Sequence, residues 1–151
     1  MNVDEFSELT AAWWLRDFDA ADEVDRITRE QKERLPSLIR ALVESAPDGA
    51  LSYIGVTILE DLADFAVQEG GDDPSLGVLI AAKLTLADTF EILSGPYPHY
   101  LQRWGIREHL AKMFSVAQFD ALEDWEGRRD QRLILDGDGV RLVQPSTWFG
   151  S

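Results

Sequence analysis

Cysteine is absent from this sequence, which excludes disulfides, thiolate metal sites and a cysteine nucleophile. A chain that can do without disulfides fits a reducing compartment, so a cytoplasmic location is expected. Histidine is nearly absent too: His99 and His109 are the only two. They would fall on different sides of any helix holding both, and neither their number nor their spacing makes a metal site. Long apolar runs are missing, none approaching the ~20 residues that span a bilayer. The first residues, Met1 to Phe6, are acidic where a secretory or transit leader is basic. Neither membrane insertion nor export is expected.

Positive charge is the other scarcity. Fourteen Lys and Arg face 28 Asp and Glu, a formal net charge of -14. The imbalance is uneven: residues 1–30 hold nine acids and three bases, residues 44–91 hold ten acids and the single base Lys83, and residues 92–132 balance six against six. Such a field repels phosphate backbones and anionic headgroups, and it speeds encounter with a basic partner. Nucleic-acid and membrane binding are disfavoured. Acidity also keeps a protein soluble, and that plain role competes with any recognition role.

What is present describes one folded unit. With 45% hydrophobic and 28% charged residues in 151, the chain has ordinary globular proportions and a length typical of a single domain, 1–151. Helical punctuation fills the first two thirds. Asp4 can cap a helix to about Phe18, and Asp19 or Asp22 can open a charged segment to Arg34. Pro36 suits the first turn of a helix to Ala46. After Pro47-Asp48-Gly49 a helix is expected from about Ala50 to Val67, ended by Gly70-Gly71, and another from Asp73-Pro74 to about Leu93. Beyond the rigid Ser94 to Pro98 turn, helical period resumes over about His99–Phe114 and Val116–Trp125. Apolar residues around Asp136-Gly137-Asp138-Gly139 then predict a β-hairpin at about 132–143. Residues 145–151 read as a tail that Trp148 and Phe149 could pin to the body. The expected fold is mainly α, a bundle of six or seven helices in antiparallel pairs with this small C-terminal hairpin.

Within the helix at about 50–67, a 100° step gathers Leu51, Ile54, Ile58, Leu59, Leu62, Phe65 and Ala66 on one arc, the core face. Opposite fall Tyr53, Thr57, Glu60, Asp61 and Asp64, an acidic stripe beside one tyrosine. That face is either simply solvated or a docking face for Lys and Arg, since interfaces favour a rigid aromatic among complementary charges. The first helix is apolar nearly all round: Phe6, Leu9 and Trp13 share one side, whereas Trp14, Leu15 and Phe18 lie well round from them. Burial between other elements is one outcome; the other is an exposed strip with Trp14 as interface anchor. Lys83 falls in the apolar arc of Leu76, Leu79, Leu86 and Phe90, and is expected to reach solvent along its stem or to pair with a carboxylate.

No catalytic arrangement emerges. Glu108-His109 lacks the register of a di-iron bundle. Asp136 and Asp138 begin like a calcium loop, but Val140 stands where a third oxygen ligand is needed. Neither a phosphate-cradling glycine loop nor a serine elbow is present. No catalytic, metal or cofactor-binding residue is assigned.

The stretch Leu42–Phe65, with Ala50-Leu51-Ser52-Tyr53-Ile54-Gly55 and then Leu59-Glu60-Asp61-Leu62, resembles a bacterial family of small helical domains of unknown function. In that family a helix ending in Ala-Pro-Asp precedes an apolar stretch with Leu-Glu-Asp-Leu. This chain has Thr57-Ile58 where the family has Gly-Pro, so the family's helix break does not carry over. The resemblance implies helices, a bacterial source and structural roles for Glu60 and Asp61; it implies no activity.

Together these features lead to a non-enzymatic acidic binding protein that engages a basic protein, in its most concrete form an immunity protein or antitoxin against a bacterial toxin. A helical adaptor or regulator that forms a homo-oligomer through Trp13, Trp14 and Phe18 is a second reading. A small enzyme or ligand-binding protein with a pocket near Tyr97, His99, Tyr100, Trp104 and His109 is a third.

Overall fold

In the computed structural model, which describes residues 3–125, 131–144 and 147–150, a 3-10 turn at Val3–Phe6 leads into α1 (Ser7–Trp14). The helix expected to reach Phe18 stops short. The chain reverses at Leu15–Asp17, with Arg16 in the left-handed region at φ 64°. Asp17, rather than Asp19 or Asp22, caps α2 (Phe18–Glu30) by accepting the Ala20 N–H at 3.0 Å. Packed on both α2 and α3 (Leu35–Ser45), α1 buries opposite sides, so Trp13 and Trp14 are both in the core. Pro36 lies in the first turn of α3, as expected, and Leu35, Leu38, Ile39 and Leu42 of that helix are wholly buried. At roughly 1.5–3 kcal/mol for each buried aliphatic side chain, this one face is a principal source of stability.

Residues 52–69 run without a break through α4 (Ser52–Ile54), a wide π turn at Gly55–Leu59 and α5 (Glu60–Glu69). Buried positions recur in pairs every four residues: Ile54 and Gly55, Ile58 and Leu59, Leu62 and Ala63, then Ala66. At 3.6 residues per turn a four-residue repeat drifts by ~40° each time, and the wider turn takes up that drift. Glycine makes the packing possible here. A Cβ on Gly55 would lie 2.2 Å from the Ile92 carbonyl oxygen, and one on Gly95 would lie 2.0 Å from that of Ser52. Helix and turn thus meet backbone to backbone.

Two further expected helices are divided. The stretch 74–93 forms α6 (Ser75–Ala81) and α7 (Leu86–Leu93), the latter capped by Thr85, which accepts the Asp88 N–H at 3.1 Å. Lys83 lies in the break, left-handed at φ 54° and exposed; it is therefore not part of an apolar helical arc. The stretch 99–114 forms α8 (Pro98–Trp104) and α9 (Ile106–His109), separated at Gly105 with φ 66°. α10 (Val116–Asp124) follows its expected bounds and opens with a capping box between Ser115 and Gln118.

The expected hairpin is present as β1 (Arg132–Asp136) and β2 (Gly139–Val143), antiparallel with Asp136 opposite Gly139. β1 lies against α7 and β2 against α10. The Gln118 amide donates to the carbonyls of Gly137 and Gly139, both at 3.0 Å, and Arg132 pairs with Glu91 at 3.4 Å. Of the expected tail, residues 145, 146 and 151 lie outside the described residues. A last helical turn, α11 (Thr147–Gly150), brings Trp148 back onto α1. The molecule is thus mainly helical with one small C-terminal hairpin. Among the described residues no helix is long and apolar enough to cross a membrane.

Candidate functional site

The acidic stripe divides between two neighbours. Glu60 turns toward the start of α8, where its Oε2 accepts the Tyr97 N–H at 3.1 Å. That bond satisfies a donor which the helix start leaves without an intrahelical partner. One turn on, Asp64 accepts the Tyr100 hydroxyl at 2.9 Å; burial and this bond push the Tyr100 phenol up to about 12. Asp61 faces α2. Burial first, and then the charges of Asp25 and Asp64, push its carboxyl up to about 6, with Arg29 opposing. Burial and the neighbouring Asp22 raise Asp25 in the same sense, and burial raises Glu60 against the Tyr97 hydrogen bond. Arg29 is partly occupied, its guanidinium lying 4.4 Å from the centre of the Phe65 ring.

Burial is thus the first cause of the raised carboxyls at Asp25, Glu60 and Asp61, and at Asp61 the charges of Asp25 and Asp64 add to it against Arg29. Tyr97 lies beside them, 58% exposed, with His99 stacked parallel at 6.1 Å and Tyr100 4.3 Å beyond His99. Sequence reasoning missed Asp25, and it grouped Tyr97 with the two histidines rather than with the carboxylates. The signal for Asp25 is a charged residue in the same turn as core-facing Val24, too common to single out in so acidic a chain.

Tyr53 and Thr57 stand apart from the carboxylates. The Thr57 hydroxyl donates to the Tyr53 carbonyl at 2.6 Å, bonding back along its own helix. Tyr53 is half-buried in an aromatic cluster, 5.2 Å from Trp13 and 4.8 Å from Trp148. The exposed anchor envisaged at Trp14 is corrected by its burial: only 5% remains exposed, and its Nε1 donates to the Leu42 carbonyl at 3.0 Å. The reversal after Trp14 folds that side of α1 inward and leaves Leu15 and Phe18 outside instead, at 82% and 88% exposure.

Asp73, expected from the sequence only as part of a helix start, ties α6 to α8. Its carboxylate accepts the Trp104 Nε1–H at 2.7 Å and the Ser75 N–H at 2.9 Å, and it pairs with Arg103 at 3.7 Å. His99 and His109 are both exposed. His109 lies by Gly105, whereas His99 stacks between tyrosines. Among the described residues no group of His, Asp and Glu could hold a metal ion. Compared with family models, curated proteins and solved structures, the chain matches none.

Proposed function

We propose that this protein is a non-catalytic binder of a basic protein, and that Asp25, Asp61 and Asp64, rimmed by Glu60 and Tyr97, form its recognition face. One observation carries the reading: Asp61 is half-buried on α5 within reach of the charge of Asp25, which stands exposed on α2, with Arg29 as the opposing cation. A fold gains nothing from this arrangement by itself, because each raised carboxyl is a cost to stability above its ordinary pKa. A Lys or Arg from a partner relieves the repulsion and supplies charge-assisted hydrogen bonds. The remainder of the negative field steers such a partner in. The most concrete candidate is a bacterial toxin whose active site is basic because it must attract phosphate, in which case this chain acts as its immunity protein or antitoxin in the cytoplasm. The resemblance over Leu42–Phe65 to a bacterial helical family supports such a source.

Capture from a native lysate followed by a salt titration tests the reading. The expected outcome is a basic protein released progressively as ionic strength rises, and lost from the double variant Asp25→Asn/Asp61→Asn. Binding indifferent to salt, or unchanged in that variant, overturns it. Glu60 and Asp64 are left unchanged because reversing them would also unseat Tyr97, just before α8, and Tyr100 within it.

A further inference from the structure

The segment after the hairpin is anchored through Trp148, and the surface that receives it is shaped for an indole. Trp14 ends α1, and its carbonyl is among those a helix end leaves without an intrahelical donor. The Trp148 Nε1–H supplies that donor at 2.8 Å. Arg16 holds the same residue twice: its guanidinium lies 4.5 Å from the ring centre, and its Nη2 donates to the Trp148 carbonyl at 2.7 Å. The rings of Trp14 and Tyr53 close the sides edge-on, at 5.4 Å and 4.8 Å. A phenylalanine in this place would keep the ring contacts but lose the N–H, and a lysine would meet the Arg16 charge.

Two features favour exchange of this segment. Four residues separate Val143, the end of β2, from Trp148, and Thr147 is exposed. Trp148 lies beyond the end of β2, so lifting it breaks neither strand. On either side of Arg16 in sequence, Leu15 and Phe18 are the most exposed large apolar side chains among the described residues. In the closed monomer they face water beside the seat, and exchange of a terminal segment is a low-cost route to a pair of chains that meet there.

We propose that the cleft between Trp14, Arg16 and Tyr53 is a tryptophan-reading peptide site, filled by the chain's own Trp148 and able to take the same segment from a second copy. This is independent of the basic-partner reading. Full-length Trp148→Ala leaves the seat empty, and a fluorescent peptide of residues 144–151 probes it. The variant is expected to bind the peptide, to ignore a peptide in which Trp148 is alanine, and to melt higher with added free indole; the wild type, whose seat is filled by its own segment, takes up the peptide at least about tenfold more weakly and is not raised by indole. A cooperatively melting variant that takes up neither peptide nor indole overturns the site. Should the alanine variant fail to melt cooperatively, Trp148→Phe is measured instead. Without the N–H its own segment holds on less firmly, and it is expected to bind the peptide about tenfold more tightly than wild type; equal binding overturns the proposal. Sedimentation from micromolar to near-millimolar concentration addresses the second copy. A dimer that grows with concentration and is lost in Trp148→Ala supports exchange, whereas a monomer throughout, or a dimer indifferent to the substitution, overturns it.

Discussion

Within the one helix from residue 52 to residue 69, the first turns bring Tyr53 and Gly55 into contacts that leave no spare room, while the last turns bring Glu60, Asp61 and Asp64 into contacts that leave charge unbalanced. At the first end the neighbours are a carbonyl of α7, the turn at Gly95 and a ring of aromatic side chains. At the other they are a carboxylate of α2 and the start of α8. One end is fitted by shape and the other is under electrostatic tension. The same helix is thus held tightly by backbone contact at one end and carries raised carboxyls at the other.

Substitutions that break this contrast have effects in a definite order. Gly95→Ala is expected to be the most severe. A methyl 2.0 Å from the Ser52 carbonyl oxygen forces backbone apart, at about 3 kcal/mol or a fall in Tm of roughly 6–12 °C by calorimetry. Trp148→Ala removes a half-buried indole and its hydrogen bond, about 2 kcal/mol in urea unfolding; an unchanged midpoint would detach Trp148 from the aromatic end altogether.

At the charged end the sign reverses. The folded-state pKa of Asp61 is raised from 3.8 to about 6, so between those values the folded chain holds a proton that the unfolded chain has lost. Stability falls as pH rises through that window and stays lower above it. Asp61→Asn is therefore expected to stabilise at neutral pH, by on the order of 1 kcal/mol once solvent screening is allowed for, and to make no difference below pH ~4. A constant difference across that range would remove the electrostatic account. The smallest effect is expected at the uncovered corner: replacing Leu15 and Phe18 by serine should move the stability of the monomer by no more than about 0.5 kcal/mol for each.

Much of this arrangement is legible in the residues, and the rest is hidden for identifiable reasons. The core arc of the helix at about 50–67, the capped start of α10 and the hairpin follow from apolar period and turn chemistry. The breaks after α1 and α6 do not. They fall at Arg16 and Lys83, non-glycine residues in the left-handed region, where tertiary packing overrides the local preference. Asp17 and Thr85 did announce the next helix in each case, as residue types that favour helix caps, but the continuing apolar period on either side obscured them. The acidic stripe was legible as a pattern and not as a site. With acids at so many positions, no local rule selects Asp25 as the neighbour of Asp61, 36 positions away, or separates Glu60, which binds the start of α8, from Asp61, which does not.

The hydrogen bond between Trp148 and Trp14 spans 134 positions of sequence, and this has a consequence for synthesis. During translation α1 emerges first and can pack on α2 and α3 long before Trp148 exists. Throughout that interval the carbonyl end of α1, Arg16 and the face of Tyr53 stand open on an otherwise folded body. On a crowded polysome, the first tryptophan-bearing segment to reach that opening can belong to a neighbouring, older chain.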